Sequence, residues 1–213
     1  MRLKALKEQI RFCKLCYSTL EVDGITGLLD AKCVLCARCS EKLDPKFETF
    51  SIDGVKGVAV YDYDDLVQQL IFQLKHNNDY EIGEIFLSRF RVLLRVLYAG
   101  YVLVPAPSYA DSDAHRGFNH VEAIFSVIGL PLIRVFAKTT DQKQKELSAR
   151  ERQEISKVIK LGKADELKGK KVLIVDDIKT TGSTIRAMVK LLQGVKLKKL
   201  KIMVLSKTID TFR

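Results

Sequence analysis

The residues best suited to chemistry lie between Lys171 and Thr184, in the run Lys-Val-Leu-Ile-Val-Asp-Asp-Ile-Lys-Thr-Thr-Gly-Ser-Thr. An apolar, β-branched stretch leads into two adjacent carboxylates, Asp176 and Asp177. The pattern predicts a buried strand that presents both acids at its carboxyl end, where α/β folds bind ligands. Just beyond them, Thr180, Thr181, Gly182, Ser183 and Thr184 read as a turn that opens a helix. Such a turn offers backbone N–H groups, hydroxyls and the positive end of a helix dipole, a set that suits a monoester phosphate. Gly182 permits close backbone approach. Carboxylates that accept hydroxyls beside a phosphate cradle fit both ends of a ribose 5-phosphate. GxxxxGK[ST] and GxGxxG are both absent, so neither a P-loop nor a Rossmann dinucleotide site is indicated. The plain alternative is an Asp-Asp turn capped by Thr and Ser. The full combination of strand, acids and TTGST is much rarer than that.

A second constellation is the cysteines. All five fall in the first 39 residues: Cys13, Cys16, Cys33, Cys36 and Cys39. Clustered pairs in a reduced compartment argue for metal rather than disulfides. Four thiolates make a closed tetrahedral structural zinc site, and a fifth is surplus. Cys13 to Leu20 and Cys36 to Leu43 both read CxxCxxxL. Two equivalent knuckles, each with a leucine beneath, favour Cys13, Cys16, Cys36 and Cys39, with Cys33 as the alternate. No histidine lies in this segment and four sulfurs leave no open position, so the zinc is structural, not catalytic.

The elements that must position these groups follow from periodicity. Pro45 and the polar run before Gly54 read as a linker, which sets a boundary between a zinc-binding domain at 1–46 and an α/β domain at 47–213. Val55–Tyr61, Tyr101–Val104, Leu132–Ala137, Lys171–Val175 and Lys201–Leu205 read as strands. Asp62–Lys75, Tyr80–Tyr98, Asn119–Ile128 and Ser183–Leu192 carry apolar residues at helical spacing. Ser108–Phe118 reads as a polar loop, and 139–170 as charged and weakly periodic. Strands alternating with helices predict a mostly parallel sheet flanked by helices.

The chain has 213 residues, 47% of them apolar, with a net charge of +10. That composition excludes global disorder and allows one sizeable core with a small appendage. No apolar run is long enough to span a membrane, and the charged N-terminus is no secretory signal, so a cytoplasmic location is expected. The charge is uneven: residues 1–46 carry +3, 47–137 carry −4, and 138–213 carry +11. A basic last third attracts polyanions, nucleic acid among them. Lys196, Lys198, Lys199 and Lys201, with Lys138, Lys143, Lys145, Arg150 and Arg152, would supply phosphate contacts. Phe12 and Tyr17 could stack on single-stranded bases. The competing readings are a solvated basic surface, lysines that guard a sheet edge, and a Phe12 that packs the small zinc module.

VLIVDDIKTTGST resembles the phosphoribosyl diphosphate (PRPP) motif of type I phosphoribosyltransferases. The whole chain resembles the ComF/ComFC branch, competence-associated proteins of natural transformation. The cysteine knuckles, Leu70-Ile-Phe-Gln-Leu-Lys75, Val104-Pro-Ala-Pro107 followed by Arg116-Gly-Phe-Asn119, and Thr139/Thr140…Gln144…Leu147-Ser148…Arg152 all match that branch. His120 stands where it usually has Gln, Asp111-Ser-Asp113 is acidic where it is commonly basic, and Glu154 stands near a usual Asn.

The resemblance implies that Asp176 and Asp177 hold the ribose hydroxyls, and that Thr180, Thr181, Gly182, Ser183 and Thr184 wrap the 5′-phosphate. Pyrophosphate would lie near the loop after Val104, with Mg²⁺ carried mainly on ligand oxygens. Lys75 and Arg116 are candidate pyrophosphate counter-charges, or else ordinary salt-bridge residues. His115 and His120 read as surface histidines. The implied role is PRPP binding together with handling of transforming single-stranded DNA, with the DNA-uptake machinery at the inner membrane as a partner. The alternative is an active phosphoribosyltransferase of nucleotide salvage. No catalytic residue and no base-binding hood is legible.

Overall fold

A computed structural model describes residues 11–20, 34–138 and 159–208. Its centre is a five-stranded sheet built from β1 (Glu48–Ile52), β2 (Val55–Asp62), β3 (Tyr101–Pro105), β6 (Lys171–Lys179) and β7 (Lys199–Lys207). The spatial order is β1-β2-β7-β6-β3, parallel throughout except for β1. β4 (Phe136–Lys138) and β5 (Ile159–Leu161) form a separate antiparallel pair. The expected mostly parallel α/β sheet is therefore present.

Alternate residues of the central strands feed two cores. Leu173, Val175, Met203 and Leu205 face one side, while Val172, Ile174, Ile202 and Val204 face the other. The first face is covered by α2 (Asp65–His76), α3 (Ile82–Leu87), α4 (Arg91–Leu97) and α6 (His120–Phe125). The second is covered by α7 (Ser183–Leu192), through Ile185, Met188, Val189 and Leu192. Strands buried on both faces must be continuous apolar runs, and β6 opens with one.

Four local expectations are corrected. The segment before Gly54 is not a linker but strand β1, joined to β2 by a tight hairpin. Asp53 and Gly54 both adopt positive φ, at 48° and 80°, the Asp-Gly turn chemistry that hairpins favour. Ser108–Phe118 is not a loop throughout, because Ala110–Arg116 forms helix α5, closed by Gly117 at φ 81°. Leu132–Ala137 is mostly not a strand. Leu132 makes an isolated parallel bridge to Leu103, and pairing begins only at Phe136. The Tyr80–Tyr98 helix is broken by a 3₁₀ turn at Ser88–Phe90.

The cysteine segment, which includes helix α1 (Ala37–Lys42), packs onto the first face. Cys13, Leu35, Cys39 and Leu43 belong to the same buried cluster as α2, α3 and α6, and Leu20 packs against it. Both leucines of the repeated knuckle thus serve as expected. Lys14 reaches Glu84 at 2.9 Å and Glu81 at 3.2 Å, and Arg89 donates to the Ser40 carbonyl. These contacts tether the module to α3 and the turn after it.

Candidate functional site

β6 carries Asp176 and Asp177 past the point where β3 ends, so the acids line a cleft at the carboxyl edge of the sheet. The cleft has a volume of about 270 Å³. Its lining includes Lys75 from α2, Arg116 from α5, His120 from α6, Lys138 from β4 and Thr184 from α7. Ser108 and Tyr109 enter from the loop that follows β3. Six separate segments thus converge on two carboxylates, the arrangement expected of an α/β ligand site.

Both acids are buried, at 8% and 6% exposure. Lys75 ion-pairs with Asp177 Oδ2, and His120 Nε2 faces the same oxygen at 3.4 Å. Asp176 Oδ1 accepts a hydrogen bond from the Asp177 amide at 2.9 Å. Burial pushes Asp176 well above the usual carboxylate range, and the adjacent Asp177 pushes it further. Burial acts on Asp177 in the same sense, but His120 and Lys75 outweigh it and hold that group below the usual range. Of the two, Asp176 is therefore the acid that holds a proton more tightly. Burial lowers Lys138 from its ordinary value, with the two acids opposing the shift in part. Its ammonium also lies over the Tyr109 ring, 4.8 Å from the centroid.

Arg116 and Asn119 organise the rim. Arg116 donates to the Lys75 carbonyl at 3.0 Å and to Asp113 Oδ1 at 3.1 Å, and its NH1 lies 3.2 Å from His120 Nδ1. Asn119 caps α6 by accepting from the Glu122 amide, while its side-chain amide donates to Ser108 Oγ and Asp113 Oδ2. Residues of the Arg-Gly-Phe-Asn run thereby lock the loop after β3 onto α5 and α6. Arg116 joins Lys75 at the cleft as a structural hub, with Nε and one terminal nitrogen committed.

Gly182 is the N-cap of α7, at φ +73° and buried. Thr181 donates to Ser183 Oγ at 3.2 Å and also accepts from the Ser183 amide at 3.4 Å. Thr180 and Thr181 are exposed, and Ser183 and Thr184 half-buried. The turn thus leaves hydroxyls and first-turn N–H groups available to an anion. A Cβ at position 182 would lie 2.9 Å from Ile52 Cδ1 and strain a left-handed backbone. Gly182→Ala should cost about 1–2 kcal/mol, a fall in melting temperature of roughly 2–4 °C per kcal/mol. A melt unchanged from wild type would contradict this.

His120 was missed by sequence reasoning, which placed it at the surface. It is buried at 9% exposure, directly between Arg116 and Asp177. Its signal was its place at the first helical position after the Asn119 cap, which turns it toward the acids. His115 is exposed, as expected.

The sulfurs of Cys13, Cys16, Cys36 and Cys39 lie within 4.8 Å of one another, with Cys16 and Cys36 at 3.7 Å. Tetrahedral zinc with Zn–S near 2.3 Å requires sulfurs about 3.8 Å apart. The four-cysteine set fits such an ion. Cys33 lies outside the described residues. Hydrogen bonds from Ser18 pull the Cys16 thiol down to about 6, whereas burial pushes Cys39 up to about 12, reinforced by the other thiols. A bound cation would offset the mutual repulsion of four thiolates.

The lysines around β7 separate from the cleft, whereas Lys138 lines it. In the ladders Lys171 pairs with Lys199 and Leu173 with Lys201, at the amino end of the sheet. Asp176 pairs with Val204, five residues farther along, or roughly 16 Å at about 3.3 Å per residue. β7 is a central strand, so Lys199 and Lys201 do not guard an edge. Lys201 lies over the rings of Tyr98 and Tyr101, at 5.3 and 5.9 Å. Lys196, Lys198 and Lys199 are exposed. Lys143, Lys145, Arg150, Arg152 and the Thr139–Arg152 motif lie outside the described residues. Phe12 and Tyr17 are 56% and 76% exposed, so Phe12 does not pack the zinc module's interior. Among the described residues, no helix is long and apolar enough to cross a membrane.

Residues 113–210 match the model of the phosphoribosyl transferase domain. Competence protein ComFC of Streptococcus pneumoniae (strain ATCC BAA-255 / R6) is 30% identical over 150 residues, 70% of this chain and 66% of that protein. A hypoxanthine phosphoribosyltransferase from Staphylococcus aureus aligns at 19% identity and a TM-score of 0.39, covering 63% of this chain and 77% of that one. Adenine phosphoribosyltransferase from Saccharomyces cerevisiae aligns at 14% identity and a TM-score of 0.40, covering 80% and 89%. On the sequence matches, the chain belongs to the ComF/ComFC family and carries a type I phosphoribosyltransferase-like domain.

Proposed function

We propose that the chain binds PRPP with Mg²⁺ in the cleft at the carboxyl edge of the sheet, and that it handles single-stranded DNA in natural transformation. The carrying observation is the buried pair Asp176–Asp177, set in a cation-lined cleft that also reaches Thr184 of the phosphate-cradling turn. A ribose diol satisfies buried acids, and a 5′-phosphate satisfies the N-terminus of α7. Lys75 and Lys138 supply charge for pyrophosphate. Magnesium would be carried mainly on the ligand's own oxygens. The four clustered cysteines hold a structural zinc.

Calorimetric titration with PRPP in the presence of Mg²⁺ tests the pocket. Saturable binding is expected, and none at millimolar PRPP would overturn the reading. A salvage phosphoribosyltransferase would use the same cleft. Positive charge growing on the ribose and negative charge on departing pyrophosphate would meet the acids and lysines respectively. Pyrophosphate released on adding a free base favours that second reading.

The DNA proposal rests on the charge of the last third and on the exposed lysines at the sheet's amino end. The uptake machinery at the inner membrane is the partner this role implies. Affinity for a labelled single strand should fall steeply with salt, with a log–log slope of about −0.7 per phosphate contact. Changing Lys196, Lys198, Lys199 and Lys201 to Gln should flatten that slope and leave PRPP binding intact. Anisotropy across a salt series measures both. An unchanged slope would remove these lysines from the interface.

A further inference from the structure

His120 is a buried side chain whose two ring nitrogens face opposite partners. Arg116 carries only donors and stays charged. Its Nε is committed to the Lys75 carbonyl at 3.0 Å. Its NH1 has two hydrogens and three neighbours: Asp113 Oδ1 at 3.1 Å, His120 Nδ1 at 3.2 Å and the Phe118 carbonyl at 3.5 Å. The two nearest take the hydrogens. His120 Nδ1 must then accept, which puts the ring proton on Nε2. That nitrogen lies 3.4 Å from Asp177 Oδ2, a buried oxygen that no aligned hydrogen bond satisfies. Such contacts in ligand-free sites commonly tighten on binding.

We propose that His120 is a positioning residue for the acidic pair: Arg116 fixes it as the Nε2–H tautomer, and it aims Asp177 at the ligand. The inference rests on the PRPP reading of the cleft. Asp177 Oδ2 is a fully buried atom, and Lys75 and His120 are the groups that face it. With both on Oδ2, Oδ1 is the oxygen left to accept a ribose hydroxyl. The chain of contacts runs from the Lys75 carbonyl through Arg116 and His120 back to Asp177, which Lys75 itself pairs. One closed ring of interactions therefore couples α2, α5, α6 and β6 at the cleft floor.

Glutamine reproduces this layout, since its carbonyl oxygen can accept from Arg116 and its amide can donate to Asp177. Methionine fills similar volume with neither function. Calorimetry should show His120→Gln within about threefold of wild-type PRPP affinity, and His120→Met weaker by at least tenfold, the loss expected for one hydrogen bond to a charged group. Equal affinity of the Gln and Met variants would overturn the proposal, because packing alone would then explain the residue. Nitrogen-15 spectra of histidine-labelled protein give a readout free of PRPP. The expected spectrum has a protonated Nε2 and a bare Nδ1, and an Nε2–H signal that moves in Asp177→Asn. A protonated Nδ1 would overturn the tautomer assignment. Wild-type protein that shows the expected tautomer but binds no PRPP would instead sink the PRPP reading and leave the contact geometry standing.

Discussion

Asp177→Asn should destabilise the protein by about 3–5 kcal/mol, while Asp176→Asn should stabilise it. The two residues are neighbours of one type with nearly equal burial, so the contrast comes from their partners. Asp177 is ionised against Lys75 and His120. Removing one member of a buried ion pair leaves the other charge without compensation, which sets that magnitude. Among the described residues Asp176 forms no ion pair, and burial beside Asp177 makes its ionisation costly. An asparagine there keeps an oxygen to accept from the Asp177 amide and removes the titrating group. The pH dependence separates the two. The folded protein holds Asp177 below its unfolded value near 3.9, so its contribution is present above that pH and fades as pH falls further. Asp176 binds its proton more tightly folded than unfolded. Its contribution is therefore complete below about pH 4 and is lost as pH rises toward its elevated folded value. Asp176→Asn should abolish that downward slope. Both variants should weaken PRPP binding: Asp177→Asn loses a charge-assisted hydrogen bond costing about 1.5–3 kcal/mol, or roughly tenfold and more, and Asp176→Asn loses a neutral one costing about 0.5–1.5 kcal/mol. Thermal melts from pH 4 to 8 with calorimetry check all of this. An Asp176→Asn protein less stable than wild type at pH 7 would refute the proton assignment. Unchanged PRPP affinity in the double variant would refute the pocket.

The sheet and the acid-plus-turn segment were legible because their signals are local. Val172 to Val175 is an unbroken apolar run buried on both faces, and Asp176 to Thr184 is contiguous in sequence. The rest of the cleft was not legible in the same way. Lys75, Arg116, His120 and Lys138 line the cleft from four elements, and no local pattern encodes which element lands beside which strand end. Helix α5 escaped because Ala-Asp-Ser-Asp-Ala-His-Arg has no apolar stripe. Its ends are held instead by Gly117 and by the Asp113, Asn119 and Arg116 contacts. β1 escaped because its burial pattern is mostly exposed, and the Asp53-Gly54 turn was the clue. The competing reading of the β7 lysines as edge guards rested on its being the last strand in sequence. The parallel crossovers place it between β2 and β6 instead.

Cys39→Ser should release the metal and unfold more than the cysteine segment. One zinc per chain is expected, since four clustered sulfurs would fill its coordination shell and leave no open position. Binding free energies of structural zinc in small finger peptides are on the order of 10–16 kcal/mol, and they are folding free energies. Here the ligands do not stand apart from the main body. Cys13 and Cys39 are buried at 0% and 3% exposure in the same apolar cluster as Leu43, Leu74, Ile85, Phe86 and Phe125. Loss of the ion would loosen the face that carries α2 and α6, and those helices deliver Lys75 and His120 to the acidic pair. Cys13→Ser and Cys39→Ser should therefore lose zinc, melt well below wild type and bind PRPP more weakly, although no cysteine lines the cleft. Cys33→Ser should keep one zinc and a near-native melt. Metal analysis of chelator-free protein, melts and PRPP calorimetry on the three variants test the chain of effects. Protein purified without zinc would remove the metal. Damage from Cys33→Ser equal to that from Cys39→Ser would reassign the ligand set. Full PRPP affinity in a zinc-free Cys39→Ser protein would show that the knuckles and the cleft are energetically separate.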